Sequence, residues 1–223
     1  MTDLTYAIGD IHGCADALDR LLALIDHHSA GRPRSLVFLG DYIDRGPDSD
    51  AVIARLRALE GCEPGCVTCL MGNHEALLID AYRTGLGATA WLENGGNATL
   101  TSFGIDDPED MPHELLTWVS GLPTVHADAQ RYYVHAGFRP GQSGIDPNTR
   151  SRLWIREPFL RADFDFGKHV VHGHTPQMSG RPELRRYRTN LDTACVFGRR
   201  LTAGVFTGER PEPTDFLQVA RDG

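Results

Sequence analysis

The octapeptide Gly40-Asp41-Tyr42-Ile43-Asp44-Arg45-Gly46-Pro47 crowds two carboxylates and a guanidinium between glycines. Asp41 can bridge hard cations, Arg45 can fork onto phosphate oxygens, and Asp44 can orient a neighbouring acid or base. That combination suits a metal-assisted reaction at phosphorus. Taken alone it also reads as a solvated strand-ending turn, where Gly, Asp and Pro are favoured anyway. Other stretches change the balance. Asp10 and His12 in Gly9-Asp10-Ile11-His12-Gly13 lie two apart, so in extended chain both point the same way and can share an ion. Asp and His accept Mn, Fe or Zn more readily than Ca. Gly72-Asn73-His74-Glu75 sets a neutral amide oxygen beside a titratable imidazole, and His135 and His174 each follow an apolar run inside a loop containing Gly. An isolated histidine after a strand arises easily. A full two-metal ligand set at successive strand ends does not.

Such loops need strands to deliver them and helices to return the chain. Leu4-Thr5-Tyr6-Ala7-Ile8, the apolar run Leu36-Val37-Phe38-Leu39, Val67 to Met71, Arg131 to Val134 and Val170-Val171 have the length and β-branched or aromatic content of strands. Between them, Leu18, Leu21, Leu22 and Ile25 share one helical face from Cys14 to about His28. Val52, Ile53, Leu56 and Leu59 face inward from about Asp48 to Glu60, and a third helix runs from Ala76 to about Arg83. Strand-helix-strand order makes this an α/β chain, with its site at the carboxyl ends of strands. Residues 84–130 change composition: Gly85, Gly87, Gly95, Gly96 and Gly104 with Trp91, Asn94 and Asn97 predict a looped, partly helical insertion that could wall a substrate groove. Pro112 opens a short helix within it. Leu191 to Ala194 and Leu201 to Phe206 read as closing strands of a second sheet, and the tail from Gly208 reads as peripheral. Arg156, amid Trp154-Ile155-Arg156-Glu157, is either ion-paired with Glu157 or a second phosphate fork.

Those blocks, together with Val134-His135-Ala136-Gly137 and Gly173-His174-Thr175, resemble the calcineurin-like metallophosphoesterases, within them the bacterial, phage-type phosphoprotein phosphatases. The resemblance spans residues from about 9 to 175, and Leu191-Asp192-Thr193-Ala194 also looks family-like. It implies a two-layered mixed β-sandwich flanked by helices, formed by residues 1–223 as one domain. It implies two divalent metal ions, Mn foremost with Fe or Zn compatible: Asp10 and His12 on the first, Asp41 bridging both, and Asn73, His135 and His174 on the second. His74 would be the general acid, paired with Asp44, while Arg45, Arg156 and Asn73 would meet the phosphate. A hydroxide activated between the metals would attack phosphorus in line. Where many wider relatives carry a histidine two places after His174, this chain has Pro176, which agrees with the narrower group. His172 is expected to support a ligand from behind or to line the groove.

The implied substrate is a phosphorylated protein, on serine, threonine or also tyrosine, or a small phosphoester. The rival is hydrolysis of dinucleoside tetraphosphates, whose bacterial enzymes share most blocks but tend to lack the acid found here as Asp44 and to carry Asp in place of Glu75. A catalytically dead binding module would have lost ligands, and none is missing. At 223 residues with 41% hydrophobic and 23% charged, the chain fits one ordinary globular domain, and its net charge of −8 argues against a nucleic-acid partner. No apolar run approaches the roughly 20 residues that span a bilayer, and Met1-Thr2-Asp3 begins no secretory signal, so a cytoplasmic location is expected. Cys62, Cys66 and Cys69 resemble part of a zinc site without a fourth ligand and read as turn and strand residues. His27 and His28 read as solvated caps favoured by the helix dipole. Arg181, Arg185, Arg186 and Arg188, with Arg199 and Arg200, are local basic clusters that read as solvated faces or as steering charge.

Overall fold

A computed structural model describes residues 4–85 and 87–221; Met1-Thr2-Asp3 lies outside the described residues. Two five-stranded sheets face each other. In the first, the order is β10 (Asp215–Ala220), β9 (Arg200–Phe206), β1 (Leu4–Ile8), β2 (Arg34–Phe38) and β3 (Val67–Cys69). The second runs β4 (Val125–Ala127), β5 (Arg131–Val134), β6 (His169–His172), β8 (Arg188–Asn190) and β7 (Glu183–Leu184). β1, β2 and β3 are parallel, as are β5, β6 and β8, so the loops leaving each set emerge on one edge. The pairing Ile8↔Phe38 sets the Asp10 and Asp41 loops side by side, and Tyr133↔Val171 does the same for His135 and His174.

Strand alternation builds the layers. Ala7, Val37 and Leu39 turn toward Tyr133, Val171 and Leu191 to form a thin inter-sheet core with Leu70 and Phe206. Their neighbours Tyr6, Ile8, Leu36 and Phe38 point outward under the helices, where Leu18, Leu21 and Ile25 of α1 (Ala15–Ser29) and Val52, Ile53 and Leu56 of α2 (Ser49–Cys62) cover them. Burial on both faces explains why β2 reads as a continuous apolar run rather than an alternating one. The outer face of the second sheet is covered by Phe138, Phe159 and Phe166. The remaining helices are α3 (Asn73–Thr84), α4 (Ala88–Trp91), α5 (Asn97–Phe103), α6 (His113–Gly121) and α7 (Thr149–Trp154).

The strand-helix order and the two-layered sandwich agree with the sequence reading; several boundaries and pairings do not. α3 starts three residues earlier than periodicity places it, because its first turn is set by capping rather than by apolar spacing: Glu75 reaches back to the amide of Gly72 at 2.9 Å. Leu191 to Ala194 is a loop, held by the Asp192 carboxylate accepting the amide of Ala194 at 3.0 Å. Leu201 to Phe206 lies in β9, which pairs antiparallel with β1 in the first sheet, not the second. The tail is not peripheral, since Asp215 to Ala220 adds β10 along β9. Its Phe216, Leu217 and Val219 pack on the cores although flanking prolines hide the strand pattern. Among the described helices none is long and apolar enough to cross a membrane.

Candidate metal centre

The loops that leave the parallel strands pack backbone to backbone. A side chain on Gly40, at φ 96°, would put its first carbon 2.5 Å from the amide nitrogen of Gly72, so the Asp41 and Asn73 loops touch only because glycine stands at the crossing. Non-glycine residues in the left-handed region cluster here: His12, Asp41, Asp44, Arg45 and His174 have φ between 46° and 72°. Each such conformation costs on the order of 1 kcal/mol, and their concentration marks a place where geometry is kept at the expense of relaxed backbone.

Asp41 is the centre of the arrangement, 2% exposed. Two groups of ligand-type atoms converge on it, each with all atoms within 4.8 Å of one another: His12, Asp41 and His74, and Asp41, His135 and His174. Asp41 Oδ1 lies 3.4 Å from His135 Nε2, and Oδ2 lies 3.5 Å from His12 Nε2. Asn73 Oδ1 stands 2.9 Å from His135 Nε2 and 2.8 Å from His174 Nδ1, joining the second group. Burial would raise the Asp41 pKa, but the surrounding imidazoles outweigh it and hold this carboxyl below the usual carboxylate range.

The donor set fits divalent cations, and the protons show why. His135 Nδ1 lies 2.9 Å from the carbonyl of Leu39, and His12 Nδ1 lies 2.8 Å from that of Ile43. A carbonyl can only accept, so each Nδ1 carries the proton and each Nε2 is left with a lone pair aimed inward. His135 Nε2 therefore faces two further lone-pair donors, Asn73 Oδ1 and Asp41 Oδ1, with no proton between them. A cation resolves that confrontation. Burial, before the neighbouring charges, lowers His12 and His174 to about 3 and lowers His135 as well, keeping the imidazoles neutral as ligands require.

Asp10 belongs to neither compact group among the described residues. Its carboxylate accepts the amide of His174 at 3.1 and 3.2 Å and lies beside Asp192. Burial, then Asp192 and Asp41, pushes its pKa well above the usual range. Asp192 itself is pushed up to about 7, chiefly by burial. Asp10 and His12 share the loop that leaves β1, but only His12 enters a compact group with Asp41.

His74 is buried, with Nδ1 2.7 Å from Asp44 Oδ2 and Nε2 4.0 Å from Asp41 Oδ2. Burial pulls its pKa down, but Asp41 and the Asp44 hydrogen bond outweigh that and hold it above the ordinary imidazole value. Asp44 is completely buried, and residues from the 84–130 insertion satisfy it. Trp91 Nε1 donates to both oxygens at 3.0 and 2.9 Å, and Thr99 Oγ1 donates to Oδ1 at 2.6 Å. The sequence reads this insertion only as a candidate groove wall. Its signal was available only as an unexplained Trp and Thr, since their partner lies 47 and 55 residues away. Replacing Trp91 by Phe keeps the ring but deletes the donor. We expect a loss of about 1–3 kcal/mol in urea unfolding, because a buried carboxylate loses one of its three side-chain donors; a change within error would show that Trp91 serves only as packing.

The two guanidiniums sit differently. Arg45 donates from Nη1 to His12 Nε2 at 2.9 Å, and its amide donates to the carbonyl of Gly95 at 3.1 Å. Arg156 is not paired with Glu157, which instead meets Arg161 at 3.1 Å. Arg45 and Arg156 open with Asp41, Asn73, His74 and His174 onto one cleft of 510 Å³. Glu75, read from sequence only as a discriminating residue, proves to be a buried brace: it accepts the amides of Asp41, Tyr42 and Gly72 at 2.8–2.9 Å. Burial, then Asp41, pushes it up to about 7 against those hydrogen bonds.

Other candidates fall away from the centre. His172 is fully buried behind the cleft, not along it, with Nε2 accepting from Arg188 at 3.2 Å. Arg188 is itself buried and ion-paired with Glu183, so the basic cluster is not one solvated face. Cys62 and Cys66 are exposed, Cys69 is buried, and none joins a metal-type group among the described residues. His28 is half-buried against the Tyr6 hydroxyl at 2.8 Å rather than solvated.

Comparison with known proteins agrees with this geometry. The family model described as calcineurin-like phosphoesterase matches residues 5–198, which contain every candidate named above for the centre. Serine/threonine-protein phosphatase 1 of Salmonella typhimurium is 31% identical over 207 residues, covering 88% of this chain and 89% of its own. The asymmetrical bis(5'-nucleosyl)-tetraphosphatase PrpE of Oceanobacillus iheyensis is 28% identical over 239 residues, covering 96% and 90%. A crystal structure provisionally assigned as a diadenosine tetraphosphatase superposes with a TM-score of 0.73 over 99% of this chain and 94% of its own. At 22% identity that likeness speaks for the fold alone.

Proposed function

The chain belongs to the calcineurin-like phosphoesterases, hydrolases of phosphoesters, and from that premise we propose that it is a metal-dependent phosphomonoesterase of the protein-phosphatase kind. The observation that carries the finer reading is the buried His74–Asp44 pair at 2.7 Å, opening onto the cleft beside Asp41. A monoester with an alkoxide leaving group needs a proton at the departing oxygen, and a positioned imidazole above its ordinary pKa supplies one.

Two divalent ions, held by Asp10, His12, Asp41, Asn73, His135 and His174, supply when bound charge neutralisation at the phosphoryl group and activation of water. Mn leads, with Fe and Zn compatible with the same donors. The other roles belong to side chains. Arg45 and Arg156 fork onto the phosphoryl oxygens. Asp44 takes the Nδ1 proton of His74 in a hydrogen bond, which turns Nε2 and its proton to the leaving oxygen. Trp91 and Thr99 keep Asp44 in place, and the 84–130 insertion forms part of the groove wall through Asn94.

Hydrolysis of a dinucleoside tetraphosphate is the second reading, favoured by the likeness to the tetraphosphatase PrpE over nearly the whole chain. Asp44 and Glu75, both buried and fully engaged, favour the phosphatase. A side-by-side assay decides: protein stripped of metal and restored with Mn is given a phosphoserine or phosphothreonine peptide and diadenosine tetraphosphate at equal concentration. Faster peptide turnover is expected. Faster nucleotide turnover would move the substrate to nucleotides and remove Asp44 and Glu75 as discriminators.

A further inference from the structure

Six large apolar side chains are exposed among the described residues, and two of them, Trp154 and Phe197, open onto the same polar cleft. An isolated exposed ring needs no explanation, whereas two at the mouth of a charged pocket do. Trp154 ends α7 and is 38% exposed, while its neighbour Leu153 is buried. That ring lies 6.3 Å from the imidazole of His174, at 79°. Phe197 is lifted from the other side by a single helical turn, pinned between Ala194 at φ 61° and Gly198 at φ 75°. Cys195 anchors the turn in the core while Phe197 stays 49% exposed, its ring 5.6 Å from the guanidinium carbon of Arg45. Trp154 therefore stands beside His174 of one metal-type group, and Phe197 stands beside Arg45, which would hold the phosphoryl end of a substrate.

Resting on the phosphomonoesterase reading, we propose that Trp154 and Phe197 form an aromatic mouth that, among phosphomonoesters, favours those whose leaving group carries a planar ring. The phosphoryl end is polar and is met by Arg45, Arg156 and the metal-type groups. Beyond it, the half-exposed rings present apolar faces that an aliphatic hydroxyl leaving group cannot cover. A planar ring, whether the phenol of a phosphotyrosine or the base of a nucleotide, covers them by stacking or edge contact. The left-handed Ala194 argues for a fixed plate rather than a loose side chain, since such backbone persists only where its surroundings hold it.

The test uses Mn-loaded protein and two phosphonates that are not hydrolysed, phenylphosphonate and methylphosphonate, with binding read by calorimetry. Phenylphosphonate is expected to bind about tenfold tighter, and Phe197→Leu and Trp154→Leu, which keep apolar bulk but lose the flat face, are each expected to cut that preference at least about threefold. A wild-type preference near unity, or a change below threefold in both variants, overturns the proposal and leaves the rings as props for Arg45 and His174. Turnover of a phosphotyrosine peptide, adenosine 5'-monophosphate and a phosphoserine peptide then separates the sources: the ring-bearing substrate whose rate relative to phosphoserine falls in the variants names the ring, and no fall for either overturns the proposal. If wild-type protein hydrolyses no monoester, the phosphomonoesterase reading fails, while the phosphonate ratio still decides the mouth.

Discussion

His74→Asn should lower kcat on a phosphoserine peptide by about 10²- to 10⁴-fold, the usual worth of a positioned general acid. Metal content by mass spectrometry should stay at the wild-type level, because His74 donates its Nδ1 proton to Asp44 and stands 4.0 Å from the nearest Asp41 oxygen, farther than His12 or His135. The pH profile gives a sharper reading. An acid works while protonated, so activity is present below the His74 pKa and lost as pH rises through it. Asp44 helps to raise that pKa. Asp44→Asn removes the charge but keeps the shape, so the alkaline limb should move to lower pH, and in His74→Asn it should vanish. An alkaline limb that stays put in Asp44→Asn would assign the proton to another group, and metal loss in His74→Asn would make it a ligand of the first group.

The candidate centre was legible in the sequence because the residues proposed for it are local to strand ends. Asp10, His12, Asp41, Asn73, His135 and His174 each stand one to four residues beyond a strand, and parallel pairing carries them to one edge without any long-range information in the sequence itself. What was not legible depends on contacts between distant segments. Trp91 and Thr99 meet Asp44 from an insertion whose glycines and asparagines read as plain loop. Glu75 braces the amides of Asp41 and Tyr42, 34 and 33 residues away, a role that its local capping contact with Gly72 only hints at. β10 was missed because Pro211 and Pro213 suggest a frayed tail, although the open edge of β9 recruits the residues that follow. Left-handed backbone at Arg45 gives no composition signal, since arginine is not among the residue types enriched there.

The second large effect follows from the place of Asp41 in both ligand groups. If two ions bind there, each with a Kd about thirtyfold below its free concentration, linkage adds about 2 kcal/mol per ion and about 4 kcal/mol of stability in all. For a chain of this size that corresponds to a Tm increase of about 8–16 °C on adding Mn to stripped protein. Asp41→Asn is nearly isosteric, and an amide oxygen can still accept the His74 amide that Oδ1 now accepts at 3.1 Å, so the stripped variant should fold. It lacks the charge that offsets two cations among neutral imidazoles. The Mn-dependent rise should then fall to less than half of the wild-type value, with bound metal lost on dialysis and turnover lost with it. His135→Ala, by contrast, touches one group only and should leave part of both the rise and the bound metal. Equal Tm responses in Asp41→Asn and wild type would mean that the ions do not share this carboxylate, and the two-group arrangement around it would then need another bridge.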